Sequence, residues 1–249
     1  MSESLKDKVA LVVGGSSGIG QMTALTFARS GARVAVAGRR VAELNETMHQ
    51  IHEAGGEAIA VPTDVTRATD VAALVEKVIQ EYGRLDYAFN CAGIGYSGGL
   101  IELCEEDWDQ MVAVNLKGVW LSLKYEIPAM LRTGGGAIVN MASVGGLIGT
   151  PGLSAYSATK GGVIALSRAA AMEYVKANIR INAVSPGGVN TAMLLNAPPE
   201  VRALIEGAHP IGRTGTTQEI AKAVVWLCSD EASFVLGHNM IIDGGATAQ

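Results

Sequence analysis

Short runs of apolar residues alternate along this chain with longer segments whose apolar positions recur at helical spacing. The short runs are rich in Val, Ile and Ala, which is typical of buried strands. They predict about seven strands, at residues 9–13, 33–37, 57–61, 85–90, 137–141, 179–185 and 240–242. The longer segments predict helices at residues 18–29, 41–54, 71–82, 108–131, 156–177 and 219–229.

Strands that are apolar throughout and separated by helices form a parallel sheet covered on both faces. Because crossovers between parallel strands are right-handed, the pattern predicts a Rossmann-like, doubly wound α/β fold with a central sheet of about seven strands. No repeat or linker interrupts the pattern, so residues 1–249 are expected to form a single domain. In such sheets, ligands bind beyond the carboxyl ends of the strands, where the strand order reverses.

Composition narrows the classes of partner and compartment. The net charge of −5 arises from 24 acidic and 19 basic residues without a basic run, so neither nucleic acid nor an anionic membrane is an expected partner. Three cysteines without a Cys-x-x-Cys spacing argue against a disulfide framework. The N-terminal sequence lacks an apolar signal core, and no window approaches the roughly 18 apolar residues of a membrane span. We therefore expect a soluble cytoplasmic protein.

A glycine-rich turn follows the first predicted strand directly. It reads Gly14-Gly15-Ser16-Ser17-Gly18-Ile19-Gly20. Glycines let the backbone approach a pyrophosphate, and the helix that begins here directs its N-terminal N–H groups at the phosphate charge. The spacing is Gly-x-x-x-Gly-x-Gly, which differs from the Gly-x-Gly-x-x-Gly dinucleotide motif. A purely structural loop is the alternative, but the position between first strand and first helix favours a cofactor loop.

The end of the second predicted strand indicates which cofactor binds. Enzymes that use NAD typically carry an acidic residue there for the ribose hydroxyls, whereas this chain has Arg39 and Arg40. An arginine fork suits a 2′-phosphate, and Ser16 and Ser17 can add hydroxyl donors. We therefore expect NADP(H), bound mainly through Arg39, with NAD(H) less favoured. Two solvated surface arginines are the alternative.

Two further turns fit a cofactor site, although neither is decisive alone. Asp64, followed by Val65, comes after the third predicted strand and can accept a hydrogen bond from an adenine amine. After the fourth strand, Asn90, Ala92 and Gly93 form a turn of small residues where a cofactor must lie close to the backbone. An ordinary helix-entry aspartate and an ordinary turn are the alternatives.

The candidate catalytic residues are Ser143, Tyr156 and Lys160. Ser143 follows the fifth predicted strand, and Tyr156 and Lys160 are four residues apart, so they share one helical face. An ammonium beside a phenol stabilises the phenolate and so lowers the pKa of the phenol towards neutrality, where acid–base catalysis works best. A serine hydroxyl beside them can hold the substrate oxygen as charge develops. A Tyr-x-x-x-Lys pair alone is usually helix surface, but here it follows a cofactor loop.

With these motifs, the chain from Lys6 to its Asp243-Gly244-Gly245 ending resembles the short-chain dehydrogenase/reductase family in its compact form. The residues that carry the resemblance are Gly14, Gly18, Gly20, Asp64, Asn90, Gly93, Asn115, Ser143, Tyr156, Lys160, Pro186, Gly187 and Thr191. Val13 and Cys91 depart from the family pattern, where Thr and Asn are usual, and both lie outside the catalytic set.

The resemblance implies further roles. Asn115 would complete a catalytic tetrad, its helix opened locally so that a water connects it to Lys160 in a proton relay. Pro186 and Gly187 would border the cofactor, and Val189 and Thr191 would bind the nicotinamide carboxamide. The segment 191–209 would form a mobile lid over the substrate.

The expected substrate is a neutral, moderately hydrophobic ketone or secondary alcohol. The expected pocket is mostly apolar and carries no base to bind a carboxylate; its residues are Ile94, Tyr96, Val144, Leu147, Leu153, Gly188, Met193 and Leu194. Reduction of 3-oxoacyl groups on an acyl carrier protein is an alternative, although an acidic carrier needs a basic docking face. A non-catalytic NADP-binding sensor is a second alternative, which has no need of Ser143, Tyr156 and Lys160.

Two expectations concern assembly and metals. The predicted helices 108–131 and 156–177 carry more apolar surface than one sheet face covers, and relatives are often homotetramers. The four histidines form no convincing ligand set, and the proposed polarisation of the carbonyl needs no metal. Some relatives with a similar C-terminal ending hold a structural magnesium ion there, so the tail is a candidate magnesium site, with a disordered tail as the alternative.

Overall fold

A sheet of seven parallel strands forms the centre of the computed structural model, which describes residues 5–249 apart from the side chain of Met193. The strands are β1 (Val9–Val13), β2 (Arg33–Gly38), β3 (Ala58–Pro62), β4 (Tyr87–Asn90), β5 (Gly136–Met141), β6 (Ile179–Pro186) and β7 (Asn239–Ile242). Their order in the sheet is β3-β2-β1-β4-β5-β6-β7. The predicted doubly wound fold is confirmed.

Helices connect the strands and lie on both faces of the sheet. They are α1 (Gly18–Arg29), α2 (Val41–Glu53), α3 (Ala68–Tyr82), α4 (Glu105–Met111), α5 (Gly118–Arg132), α6 (Ser154–Tyr174), α7 (Ala192–Leu195), α8 (Pro199–Gly207) and α9 (Thr217–Cys228). Within residues 5–249, every helix is too short or too polar to span a bilayer.

The core explains why the strands are mostly apolar. Side chains of a strand alternate between the two faces of the sheet. From β1, Leu11 packs in a cluster with Leu74 of α3 and Val163 of α6, whereas Val12 packs in a cluster with Phe27 of α1 and Val224 of α9. Both faces of the sheet are therefore buried under helices, as the continuous apolar runs predicted.

The element boundaries differ from the predictions mainly around one helix. The predicted helix 108–131 begins earlier, at Glu105, and a π-helical segment, Val112–Lys117, separates α4 from α5. The last residues of the predicted helix 156–177 form a 3₁₀ turn, Val175–Ala177. Helices α7 and α8 lie in the segment 191–209 and were not predicted, because a short helix gives few repeats of a helical pattern.

The strand order reverses between β1 and β4, and this reversal places the cofactor motifs together. β1 pairs with β2 on one side and with β4 on the other. The chain leaves β1 at Gly14 and leaves β4 at Cys91, and the backbone nitrogen of Cys91 donates a 2.8 Å hydrogen bond to the carbonyl of Val13. The crevice predicted for a ligand therefore opens between these two turns.

Candidate active site

Close backbone contacts require glycines in the turn after β1. Gly14 has a φ of +90°, and a Cβ built on it would lie 2.6 Å from the backbone nitrogen of Ala92. A Cβ on Gly20 would collide with the carbonyl oxygen of Gly14. Gly18, at the start of α1, has a φ of +58° and lies against Thr191. The turn therefore brings bare backbone and a helix N-terminus to the crevice, as a pyrophosphate site requires.

Arg40 contacts both serines of this turn. Its Nη2 donates hydrogen bonds to Oγ of Ser16, at 3.0 Å, and to Oγ of Ser17, at 2.6 Å. Its Nη1 lies 3.4 Å from a carboxylate oxygen of Glu43, one helical turn away. Arg39 was predicted to bind the phosphate mainly, whereas in the structure the guanidinium of Arg40 contacts the two serine hydroxyls.

Arg39 lies at the same end of the cleft, near Asp64. Burial raises the pKa of Asp64, but hydrogen bonds from the backbone and hydroxyl of Thr66 and the charges of Arg39 and Arg67 outweigh it, so the pKa is below its usual value. Asp64 is therefore an ionised acceptor at neutral pH. Asp64 and Val65 both line the cleft, as predicted for an adenine site.

The side chain of Asn90 turns into the sheet instead of the cleft. Its Nδ2 donates 3.0 Å hydrogen bonds to Oε2 of Glu126 in α5 and to Oδ1 of Asn140 in β5. All three side chains are buried. Burial raises the pKa of Glu126 to about 7, against the lowering effect of the Asn90 hydrogen bond. Asn90 thus connects β4, β5 and α5, and the following residues Ala92 and Gly93 face the cleft.

Lys160 and Tyr156 project from one face of α6. The Nζ of Lys160 donates a 3.0 Å hydrogen bond to the carbonyl of Met141, at the end of β5, and lies 5.6 Å from the centroid of the Tyr156 ring. Lys160 is only 3% exposed. A buried ammonium held by one carbonyl has hydrogen-bonding capacity left for a ligand or for the phenol system beside it.

Ser143 follows β5 and lies close to the ring of Tyr156. It precedes a 3₁₀ turn, Val144–Gly146, and its Oγ accepts a 3.1 Å hydrogen bond from the backbone nitrogen of Gly145. A Cβ built on Gly145 would lie 3.5 Å from both Oγ of Ser143 and Cε1 of Tyr156. The serine hydroxyl and the tyrosine ring therefore lie close together, and both residues line the cleft.

Asn115 lies in the π-helical segment, which confirms the local opening that the family resemblance implied. Its Oδ1 accepts a 2.8 Å hydrogen bond from the nitrogen of Ile94, and its Nδ2 donates to the carbonyl of Ile94 and to Oγ1 of Thr159. A Cβ on Gly93 would lie 3.4 Å from Oδ1 of Asn115 and 3.6 Å from Nζ of Lys160. One point beside Gly93 is thus close to both the Asn115 amide and the Lys160 ammonium.

One cleft of about 880 Å³ connects these parts. The predicted cofactor residues line it, apart from Gly20 and Asn90, whose roles lie in backbone packing and in the sheet. Of the predicted catalytic residues, Ser143, Tyr156 and Lys160 line it, and Asn115 lies behind Gly93. The volume lies within the range of ligand sites in proteins.

The apolar end of the cleft differs from the prediction at one position. Predicted pocket residues that line it are Ile94, Tyr96, Val144, Leu153, Gly188 and Leu194. Leu147 is outside the lining and 41% exposed, and Ile148 lines the cleft instead. The 3₁₀ turn before Leu147 decides which residue faces inward, and the sequence carried no signal for it. The Met193 side chain, also predicted for the pocket, lies outside the described residues.

His209 is a cleft residue whose contacts sequence reasoning missed. Its ring is buried, with Nε2 at 2.9 Å from the nitrogen of Gly188 and Nδ1 at 2.6 Å from the carbonyl of Ile205. The spacing of the histidines along the chain gave no signal for these contacts. The tail residues Ala246 and Gln249 also line the cleft and were not predicted.

In the C-terminal segment considered for magnesium, both oxygens of the Asp243 carboxylate accept hydrogen bonds from the same segment. Oδ1 of Asp243 accepts from the nitrogen of Gly245, and Oδ2 accepts from the nitrogen and Oγ1 of Thr247. In the part of the chain that the structure describes, residues 5–249, no three His, Cys, Asp or Glu side chains cluster as metal ligands.

Comparison with known proteins identifies the relatives of this chain. A family model described as enoyl-(acyl carrier protein) reductase matches residues 13–247. The chain is 42% identical to a cyclohexanol dehydrogenase of Acinetobacter sp. (strain SE19), over 100% of this chain and 98% of that protein. It is 39% identical to a 3-oxoacyl-acyl-carrier-protein reductase of Thermotoga maritima, over 97% and 98% of the two chains.

A solved structure agrees with the fold over nearly the whole length. The crystal structure of a short-chain type dehydrogenase/reductase from Mycobacterium marinum superposes with a TM-score of 0.93 at 33% identity. The match covers 99% of this chain and 97% of that one.

Proposed function

Because the chain belongs to the short-chain dehydrogenase/reductase family, whose members it resembles over its whole length, we propose that it interconverts a neutral, moderately hydrophobic ketone and its secondary alcohol with NADP(H). The observation that carries the proposal is the single cleft. At one end it presents two arginines and two serines, at its floor Ser143, Tyr156 and Lys160, and at the other end apolar side chains.

The residues present fit a nicotinamide dinucleotide. The glycine turn after β1 would hold the pyrophosphate, because a Cβ at Gly14 or Gly20 would close the space between adjacent backbone segments. Asp64 would accept from the adenine amine, and the turn from Pro186 to Thr191 would contact the nicotinamide. When bound in reduced form, the cofactor supplies the hydride for a carbonyl carbon.

The side chains around the reacting oxygen would handle its charge and its proton. Ser143 donates a hydrogen bond to the carbonyl oxygen, and the Tyr156 hydroxyl donates the proton that this oxygen needs. Lys160, with Asn115 behind it, stabilises the phenolate left on Tyr156 and supports its reprotonation. In alcohol oxidation the same groups act in reverse, with Tyr156 accepting the proton.

We propose NADP(H) over NAD(H) because of the charge at the ribose end of the cleft. Arg39 and Arg40 both line it, and Arg40 already contacts the hydroxyls of Ser16 and Ser17. A 2′-phosphate placed among them would accept charge-assisted hydrogen bonds from the guanidinium and neutral ones from the serines. The 2′-hydroxyl of NAD is neutral and lacks the negative charge with which a 2′-phosphate would attract the two arginines.

The apolar end of the cleft supports the substrate class. Ile94, Val144, Leu153 and Leu194 line it, and both ring nitrogens of His209, the imidazole of the lining, are hydrogen-bonded to Gly188 and Ile205. A cyclic secondary alcohol such as cyclohexanol, the substrate named for a relative, fits such a surface. Reduction of a 3-oxoacyl group is the second candidate, because another relative of similar identity carries that name.

A screen of NADPH oxidation tests the proposed function. The panel contains cyclohexanone, open-chain ketones, charged keto acids and a 3-oxoacyl carrier protein, with NADH as the control cofactor. We expect the highest kcat/KM for a neutral ketone with NADPH. Preference for the carrier-bound substrate would support the second candidate, and preference for keto acids or for NADH would contradict the proposal.

We further propose a homotetramer in the cytoplasm. Large apolar side chains remain exposed on α4 and α5, where Trp108 and Trp120 are 41% and 45% exposed, and Phe234 between α9 and β7 is fully exposed. Copies of the chain commonly cover such surfaces. Light scattering on the purified protein should give four times the mass of the chain, and a monomer would contradict the assembly.

The proposed cytoplasmic location is supported by the cysteines. Cys91, Cys104 and Cys228 are free thiols, consistent with a reducing compartment.

A further inference from the structure

His209 joins two segments of the cleft wall that are distant in sequence. Its Nδ1 lies 2.6 Å from the carbonyl oxygen of Ile205 in α8, and its Nε2 lies 2.9 Å from the backbone nitrogen of Gly188. The residue is 6% exposed. Ile205 belongs to the segment 191–209 beside the substrate end, whereas Gly188 belongs to the turn 186–191 after β6. One imidazole therefore connects both.

Both partners of the ring demand the same tautomer. A carbonyl oxygen only accepts, so Nδ1 must carry the hydrogen that points to Ile205. A backbone N–H only donates, so Nε2 must offer its lone pair to Gly188. The neutral Nδ1–H ring satisfies both partners, and a leucine of similar size satisfies neither.

Two glycines make room for this ring. A Cβ on Gly187 would lie 2.5 Å from Nε2 of His209, and a Cβ on Gly188 would lie 3.1 Å from its Cε1 and 2.5 Å from Cγ2 of Ile205. The carbonyl of Gly188 also accepts a 2.8 Å hydrogen bond from the nitrogen of Gly215. Gly188 is thus held on one side by Gly215 and on the other by His209, and the ring position depends on both glycines.

We propose that His209 is a positioning residue that couples the segment 191–209 to the turn 186–191, so that a nicotinamide cofactor bound at the turn orders α8 over the substrate. The inference rests on the proposed function, since it assumes that the turn contacts the cofactor. The coupling follows from the geometry: moving Gly188 breaks the bond to Nε2 unless the ring, and Ile205 with it, moves too. His209 itself contacts neither the reacting carbon nor its oxygen in this role.

Three variants separate the coupling from simple packing. His209→Leu removes both hydrogen bonds and keeps an apolar side chain of similar size. His209→Gln keeps an acceptor for Gly188, because its Oε1 can stand near the position of Nε2. His49→Leu is the matched control, because His49 is an exposed histidine on α2 that lies outside the cleft lining.

The readout is trypsin cleavage after Arg202, the arginine of α8, measured with and without NADPH, together with the Kd of NADPH and thermal unfolding. Local opening controls such cleavage. In the wild type, His209→Gln and His49→Leu, we expect NADPH to slow cleavage. In His209→Leu we expect this protection to be lost and the Kd to rise about tenfold, as for a broken buried hydrogen bond.

Two outcomes would overturn the inference, and they are distinguishable. If His209→Leu unfolds at a lower temperature but keeps wild-type protection and Kd, the histidine only packs the cleft wall. If the wild type binds neither NADPH nor NADH, the proposed function fails, and the coupling fails with it. Binding in the wild type followed by unchanged protection in His209→Leu rejects the coupling alone.

Discussion

Arg40 donates a 2.6 Å hydrogen bond from Nη2 to the Oγ of Ser17, which joins the end of β2 to the phosphate turn after β1. The contact brings a cation to the hydroxyl donors that a 2′-phosphate would use. Under the proposed NADP(H) preference, two segments that are 23 residues apart in sequence would bind the phosphate together. The arginines alone suggested a phosphate site, and the contact indicates where that site lies.

Arg40→Ala should shift cofactor preference towards NAD. Loss of a charge-assisted hydrogen bond to a phosphate costs about 1.5–3 kcal/mol, so the NADP/NAD ratio of kcat/KM should fall by roughly 10- to 100-fold. Steady-state kinetics with both cofactors measure the ratio. Arg39→Ala should lower it as well, since Arg39 lines the same end of the cleft.

Arg67→Ala is the control for this experiment. Arg67, like Arg39, acts electrostatically on Asp64, but it lies outside the cleft lining. The ratio should therefore stay at the wild-type value. If Arg39→Ala and Arg40→Ala both leave the ratio unchanged, NADP preference does not come from these arginines.

Lys160→Ala should reduce turnover strongly. The variant removes the buried ammonium 5.6 Å from the Tyr156 ring centroid, so a phenolate would lose its nearest cation. General acid–base groups contribute about 10²- to 10⁴-fold, and we expect kcat/KM to fall within that range. Lys124→Ala is the matched control, because Lys124 lies against Trp120 on the surface of α5. Equal activity of the two variants would contradict the assigned role.

Glu126→Gln should change how stability depends on pH. Burial raises the folded-state pKa of Glu126 to about 7 from an ordinary value of 4.5. The folded state therefore binds more protons than the unfolded state in this window, and Glu126 destabilises the fold increasingly as pH rises from about 4.5 to about 7. The shift corresponds to about 3 kcal/mol at most. Gln cannot ionise and can still accept from Asn90.

Urea unfolding at several pH values measures this effect. The free energy of unfolding of Glu126→Gln should be similar to that of the wild type near pH 4.5 and should exceed it above pH 7. Glu76→Gln, an exposed position on α3, should follow the wild type at every pH. A constant difference between Glu126→Gln and wild type across this range would show that the carboxyl does not titrate there.

The fold was predictable because its information is local in the sequence. A parallel strand buried on both faces is mostly apolar, so β1, with the sequence Val-Ala-Leu-Val-Val, stands out as an uninterrupted run. The information in the phosphate turn and in the pair Tyr156 and Lys160 is also local, because each is defined by a short spacing within one segment. Their roles could therefore be proposed before their geometry was known.

The remaining features depend on contacts between distant segments. The partners of His209 lie in α8 and in the turn after β6, and the inward orientation of Asn90 depends on Glu126, 36 residues away. Ile148 faces the cleft in place of Leu147, and both residues follow a three-residue 3₁₀ turn. No periodicity or spacing within one element encodes such contacts, so sequence patterns alone could not predict them.

The most direct measurement is the rate of NADPH oxidation with cyclohexanone by the wild type and by Tyr156→Phe, with the Kd of NADPH measured for both. Phenylalanine keeps the ring that contacts Gly95 and Gly145 and loses only the hydroxyl. We expect kcat to fall by at least about 10²-fold while the Kd stays unchanged. Wild-type turnover in Tyr156→Phe would contradict the role of Tyr156 as proton donor.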